Sequence, residues 1–166
     1  RPVVCQKQPE NPDYLTYRAE ALLKADRRSE SIALLNQVLK KKPDHREALR
    51  LTADAMEYGA RPQKALQPLE KLLADIQNPR EKRDLTQRLI QLRLRLWRKD
   101  PEQFPIEPAV QLLKRRIEAG TRDANIHLTQ AEIALMQQKF DTARKRFRYV
   151  LLNLNPHNRR AKQGLF

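Results

Sequence analysis

Metal ligation and nucleophilic catalysis draw first on histidine, cysteine and serine, and the chain holds few of each. Its three histidines, His45, His127 and His157, are far apart, and no His-x-x-x-His or Cys-x-x-Cys spacing occurs that could close two ligands on one ion. Cys5 is the single cysteine, so no disulfide can form within the chain and neither an oxidising nor a reducing compartment is indicated. The two serines, Ser29 and Ser31, have no recognisable general base beside them, and the three glycines form no phosphate-cradling loop. These residues predict no catalytic centre, no metal and no cofactor: the chain is expected not to be an enzyme.

Charge is the chemistry that the sequence does carry. The formal net charge is +14, and it is uneven. Residues 1–79 hold 14 Lys/Arg against 11 Asp/Glu, a net of +3, whereas residues 80–166 hold 20 against 9, a net of +11. A field of that size attracts polyanions, among them nucleic acid, acidic polysaccharide and acidic protein. The expected basic surface comprises Arg88, Arg95, Lys99, Arg115, Arg144 and Arg148. Arg88, Arg95 and Lys99 fall off the apolar stripe of their helix at steps of seven and four. Lys114-Arg115-Arg116, Arg144-Lys145-Arg146-Arg148 and Arg159-Arg160-Lys162 form short clusters. Consecutive charges on a helix point in different directions, so no continuous phosphate track is implied. With Phe147 needed for packing and only Tyr149 free to stack, nucleic acid is disfavoured as a partner.

The elements that carry these charges show a helical period. Leu15, Ala19, Leu22 and Leu23 step by three and four, and so do Leu35, Val38 and Leu39 after a break at Asp26-Arg27-Arg28-Ser29, which gives two amphipathic helices over about 13–25 and 29–41. Asp13 and Ser29 are the expected N-caps, and Lys40-Lys41-Lys42 closes the second helix where cations complement its dipole. Leu49, Ala53 and Met56, a Gly59 turn, then Ala65, Leu69, Leu72 and Leu73 repeat the pattern over about 46–58 and 62–76. Pro68, interior to that last segment, predicts either a kink or a later helix start.

Small residues mark the repeat. Ala19 and Ala53 are 34 apart, as are Ser31 and Ala65, and the two small positions within each copy are 12 apart. That spacing puts one on each of two consecutive helices where their backbones cross closely, and a bulky side chain there would cost about 1–3 kcal/mol. The pattern resembles the tetratricopeptide repeat (TPR), a helix-turn-helix unit of about 34 residues. The family's two small positions fall on Ala19 and Ser31, then on Ala53 and Ala65; its large residue falls on Leu35 and Leu69, and its closing proline on Pro43. Leu15 and Leu49 replace its tryptophan, and Gln77 stands where the second proline would be.

The resemblance implies an all-α, right-handed α-solenoid of antiparallel helix pairs with about four repeats, the third irregular. Residues 1–11 would end a preceding repeat, with Val3, Val4 and Cys5 on its last turns and Cys5 a small buried hydrophobe. Residues 12–45 and 46–79 would be the first two repeats. The third, 80–123, carries Leu85, Leu89, Leu92 and Leu96 on one stripe, a Pro-rich insertion over 100–108 and a second helix from near Ile106 to Gly120. Gln87 takes a small-residue position there. Residues 124–157 return to form with Ala131, Ala143 and Phe147, and 158–166 would begin a further helix, so the chain reads as a slice of a longer array. No run approaches eighteen apolar residues, so no membrane span is predicted.

In this family the ligand groove is lined by first helices, which implies Asp13, Thr16, Glu20, Leu23 and Lys24 from the first copy and Glu47, Arg50, Asp54, Glu57 and Tyr58 from the second. Asp13, Glu20, Glu47, Asp54 and Glu57 would make the groove acidic and suited to a cationic partner. Members that dock chaperone tails carry lysine and asparagine where this chain has Thr16, Glu20 and Leu51, so that function is not implied. The expected role is a non-catalytic scaffold binding protein partners within a multiprotein assembly. The alternative is direct binding of a charged polymer, polysaccharide or nucleic acid, and the ends could also self-associate. The leucine-, arginine- and glutamine-rich, glycine-poor style resembles bacterial TPR proteins of exopolysaccharide export and secretion, which implies a periplasmic or outer-membrane-associated setting.

Overall fold

The computed structural model describes residues 10–165 and is all-helical there, with no strand among the described residues. Val3, Val4, Cys5 and Phe166 lie outside the described residues. The chain divides between Phe104 and Pro105 into two compact units. The boundary falls in the Pro-rich insertion, so the two helices expected to share the third repeat belong to different units.

The first unit contains α1 (Pro12–Lys24), α2 (Arg28–Lys41), α3 (Arg46–Glu57), a 3-10 turn (Pro62–Ala65) leading into α4 (Leu66–Asp75), and α5 (Pro79–Lys99). Asn11, not Asp13, caps α1: its side chain accepts from the Asp13 amide at 2.8 Å, because the helix starts one residue earlier with Pro12 in its first turn. Ser29 does not cap α2 either. That helix begins at Arg28, and an Arg27 to Glu30 pair, with bonds of 2.7 and 2.6 Å, braces its first turn instead. At α4 the second expectation for Pro68 holds. The α-helix proper starts at Leu66, so Pro68 falls in the first turn, where a missing amide breaks no helical bond.

Helices α1 and α2 pack on each other, and both touch α3. Their core is Leu15, Ala19, Leu35, Val38, Ala48 and Leu51. The small residues sit where the period places them: Ala19, Ser31, Ala53 and Ala65 are all fully buried. The Ser31 hydroxyl donates to the Ala19 carbonyl at 2.8 Å, a bond between helices that needs both backbones close. Helix α5 buries Leu89, Leu92 and Leu96 from the expected stripe together with Ile90 and Leu94, and contacts α4. Arg93 pairs with Glu70 of α4, and Arg46 of α3 with Glu81 of α5.

The second unit contains α6 (Glu107–Glu118), α7 (Ala124–Met136), α8 (Phe140–Tyr149) with a π-helical extension (Val150–Leu154), and α9 (Arg159–Gln163). Helix α7 is its centre, touching α6, α8 and the extension. The core is Leu128, Ala131, Ala134, Ala143, Phe147, Val150 and Ala161. Ala131 and Ala143, again 12 apart, are both fully buried. A Cβ on Gly164 would meet the Phe147 ring at 2.3 Å, so this glycine lets the chain after α9 lie flat on the ring.

One turn recurs between paired helices. After α1, Asp26 takes a left-handed conformation (φ 58°) while the amides of Asp26 and Arg27 bond back to the carbonyls of Leu23 and Leu22 at 3.0 and 2.9 Å. After α7, Gln138 (φ 59°) and Lys139 do the same to Leu135 and Ala134 at 2.9 and 2.8 Å. These amides satisfy the last free carbonyls of one helix and turn the chain back within three residues.

Candidate functional site

The expected groove residues of α3 share one helical face, since Glu47, Arg50, Asp54 and Glu57 step by three, four and three. Helix α5 lies beside them and turns Arg88 and Arg95, two turns apart, onto the same face. The Arg88 guanidinium donates to Glu57 Oε2 at 2.6 Å through Nε and to Asp54 Oδ1 at 2.7 Å through Nη2. Arg95 Nη2 donates to the other oxygen of Glu57 at 3.0 Å. Arg50 closes the row, donating from Nη1 to Asp54 Oδ2 at 3.1 Å and from Nε to Glu47 at 3.2 and 3.1 Å.

The result is an alternating chain, Glu47, Arg50, Asp54, Arg88, Glu57 and Arg95, whose three carboxylates and three guanidiniums cancel. The expected acidic face of α3 is therefore electrically neutral. Two residues assigned to a separate basic surface, Arg88 and Arg95, are part of it. Glu57 is its buried member at 7% exposure, and a carboxylate so placed is held by charge-assisted bonds from both sides. Burial works against the charge on Arg88, but its bonds to Glu57 and Asp54 outweigh this and hold its pKa above the ordinary arginine value. At the outer end the Arg50 hydrogen bond holds Glu47 below the usual carboxylate range, and Glu47 in turn raises Arg50.

The register of this row matters. Asp54 and Arg88, which touch, are 34 residues apart, the same interval that separates Ala19 from Ala53 and Ser31 from Ala65. Glu20 of α1, 34 residues before Asp54, is paired with Lys24 at 2.9 Å.

The other expected groove residues play different parts. Thr16 is buried and donates its only hydroxyl proton to the Pro12 carbonyl at 2.7 Å, leaving it no donor for a ligand. Asp13 is exposed and accepts from His45 Nε2 at 2.9 Å. Nδ1 of the same ring accepts the Ala48 amide at 3.2 Å, so the sequence signal missed at His45 is an N-cap for α3 and a tie back to α1. Tyr58, the C-cap residue of α3 next to Glu57, is 70% exposed, and Arg28 of α2 donates to its carbonyl at 2.8 Å. Lys99 and Arg115 are exposed in the last turns of α5 and α6, where cations complement the helix dipole. Arg144 and Arg148 are exposed on α8.

His127 is buried in α7, with Nε2 donating to the Thr121 carbonyl at 3.1 Å and its ring 4.7 Å from that of Tyr149. Tyr149, expected to be free for stacking, is thus already engaged. Among the described residues, no group of three or more His, Cys, Asp and Glu side chains could hold a metal ion, and no helix is long and apolar enough to cross a membrane. Neither a protein-family model nor a curated protein matches the chain.

Proposed function

We propose that the chain is a piece of a TPR-like scaffold: a non-catalytic array whose first helices present a partner-binding face. In this reading α1 to α4 are two repeats of a right-handed solenoid and α5 begins a third. The observation that carries it is the Asp54 to Arg88 bond, because side-by-side stacking of identical units is what brings residues one period apart into contact. The recurrent buried pairs at Ala19 and Ser31, Ala53 and Ala65, and Ala131 and Ala143 support the same unit.

The face so built is neutral and polar, with its cations and anions fixed in alternate order beside the exposed ring of Tyr58. It selects a partner by charge pattern and aromatic contact more than by net charge, and so fits an extended segment of another protein that carries both signs. An immobilised chain incubated with extract from its own cells should retain a defined partner. Tyr58→Ala together with Glu47→Gln should abolish that retention, while circular dichroism shows the helices intact at the temperature of the assay. Retention unchanged in that variant would refute a role for this face.

A further inference from the structure

Many arginines of the chain are paired with carboxylates: Arg27, Arg46, Arg50, Arg88, Arg93 and Arg95 in the first unit, and Arg116 and Arg160 in the second. On α8 of the second unit, Arg144, Lys145 and Arg148 are exposed and have neither an ion pair nor a hydrogen bond among the described residues. Helical spacing sets these cations against the core. Ala143, Phe147 and Val150 point inward, so Lys145, Arg148 and Leu152 form one line on the opposite side, with Arg144 beside it. Leu152 is 80% exposed, the most exposed of the chain's large hydrophobic side chains among the described residues.

We infer that the outer face of α8 and its π-helical extension is a docking site for an acidic protein segment bearing an apolar side chain, with carboxylates on Arg144, Lys145 and Arg148 and the apolar group on Leu152. Charge complementarity selects the anion: three adjacent cations lack intramolecular carboxylates, and Asp141 is the one acidic residue of α8 itself. The leucine selects among anions. A nucleic-acid backbone would satisfy the cations but give Leu152 no counterpart, and Tyr149, the aromatic next to it, already faces His127. A lipid surface takes up a helix through a broad apolar face, whereas here Leu152 is a single apolar residue in line with two cations. An acidic strand or helix with a leucine among its carboxylates supplies both groups at the required separation. This inference uses a different unit from the α3/α5 face and does not depend on it.

Fluorescence anisotropy of the full chain with synthetic probes tests it. The probes are a labelled glutamate-rich peptide with leucine at every fourth position, the same peptide with serine for leucine, single-stranded DNA of equal length, and vesicles of phosphatidylserine and phosphatidylcholine. The leucine peptide should bind about tenfold more tightly than the serine peptide and more tightly than DNA or vesicles. R144E/K145E/R148E should weaken it by about tenfold or more, and L152S should erase the difference between the two peptides while the helical circular dichroism is unchanged. Equal binding of both peptides, preference for DNA or vesicles, wild-type binding by the triple variant, or no binding would each overturn the inference.

Discussion

Phe147→Ala should destabilise the second unit by about 3–5 kcal/mol, a loss comparable with the whole stability of a small domain. The ring is 1% exposed at the centre of a core made largely of alanines, which cannot collapse into the space it would leave. Gly164 lies directly on it, so the hole would open along the seam between α8 and the segment after α9. Urea unfolding followed by circular dichroism measures this, with tryptophan fluorescence as an internal control. Trp97, the single tryptophan, is in α5 of the first unit and reports the transition of that unit. The partner experiment is Gly164→Ala, whose cost should shrink when Phe147→Leu is also present, because the added methyl group and the ring compete for one space.

Glu57→Ala has the second largest expected effect, about 2–3 kcal/mol on the first unit, read from Trp97 fluorescence during urea unfolding. Removing this carboxylate leaves the Arg88 guanidinium with Asp54 alone and Arg95 with no anion. Asp54→Ala should cost less, since Asp54 is five times as exposed as Glu57 (36% against 7% for the side chains) and water takes up part of the loss. The row also gives the first unit an acid limit. Arg50 depresses the pKa of Glu47 below its ordinary 4.5, so the stabilisation is complete above that value and is lost as the pH falls below it, through the folded-state pKa.

Much of the framework was legible because helical packing is written at short range. The steps of three and four placed α1 to α5 within a few residues, and the small residues at Ala19, Ser31, Ala53, Ala65, Ala131 and Ala143 announced buried crossings. Caps were read less well. Asp13 and Ser29 are good capping residues by type, but Asn11 with Pro12, and Arg27 with Glu30, start their helices one residue earlier, and type alone does not separate neighbours competing for one cap.

The site was half legible. The α3 face was identified from Glu47, Arg50, Asp54 and Glu57, yet it was read as acidic because the cations that neutralise it come from another helix. Arg88 and Arg95 looked like surface charge in their own helix, which is all that local pattern shows. The clue was present in the numbers: Arg88 follows Asp54 by the same 34 residues that separate the alanines, so equivalent positions should meet with opposite charge. The π-helical extension after α8 left no such trace, and with it the outward placing of Leu152.

A double-mutant cycle on Asp54 and Arg88 tests the central claim, that α3 and α5 stand one repeat apart with equivalent positions in contact. Asp54→Ala, Arg88→Ala and the double variant are unfolded in urea and followed by Trp97 fluorescence. A favourable coupling of about 1–2 kcal/mol is the expected result; losses that simply add, with no coupling, would contradict the register and the scaffold built on it.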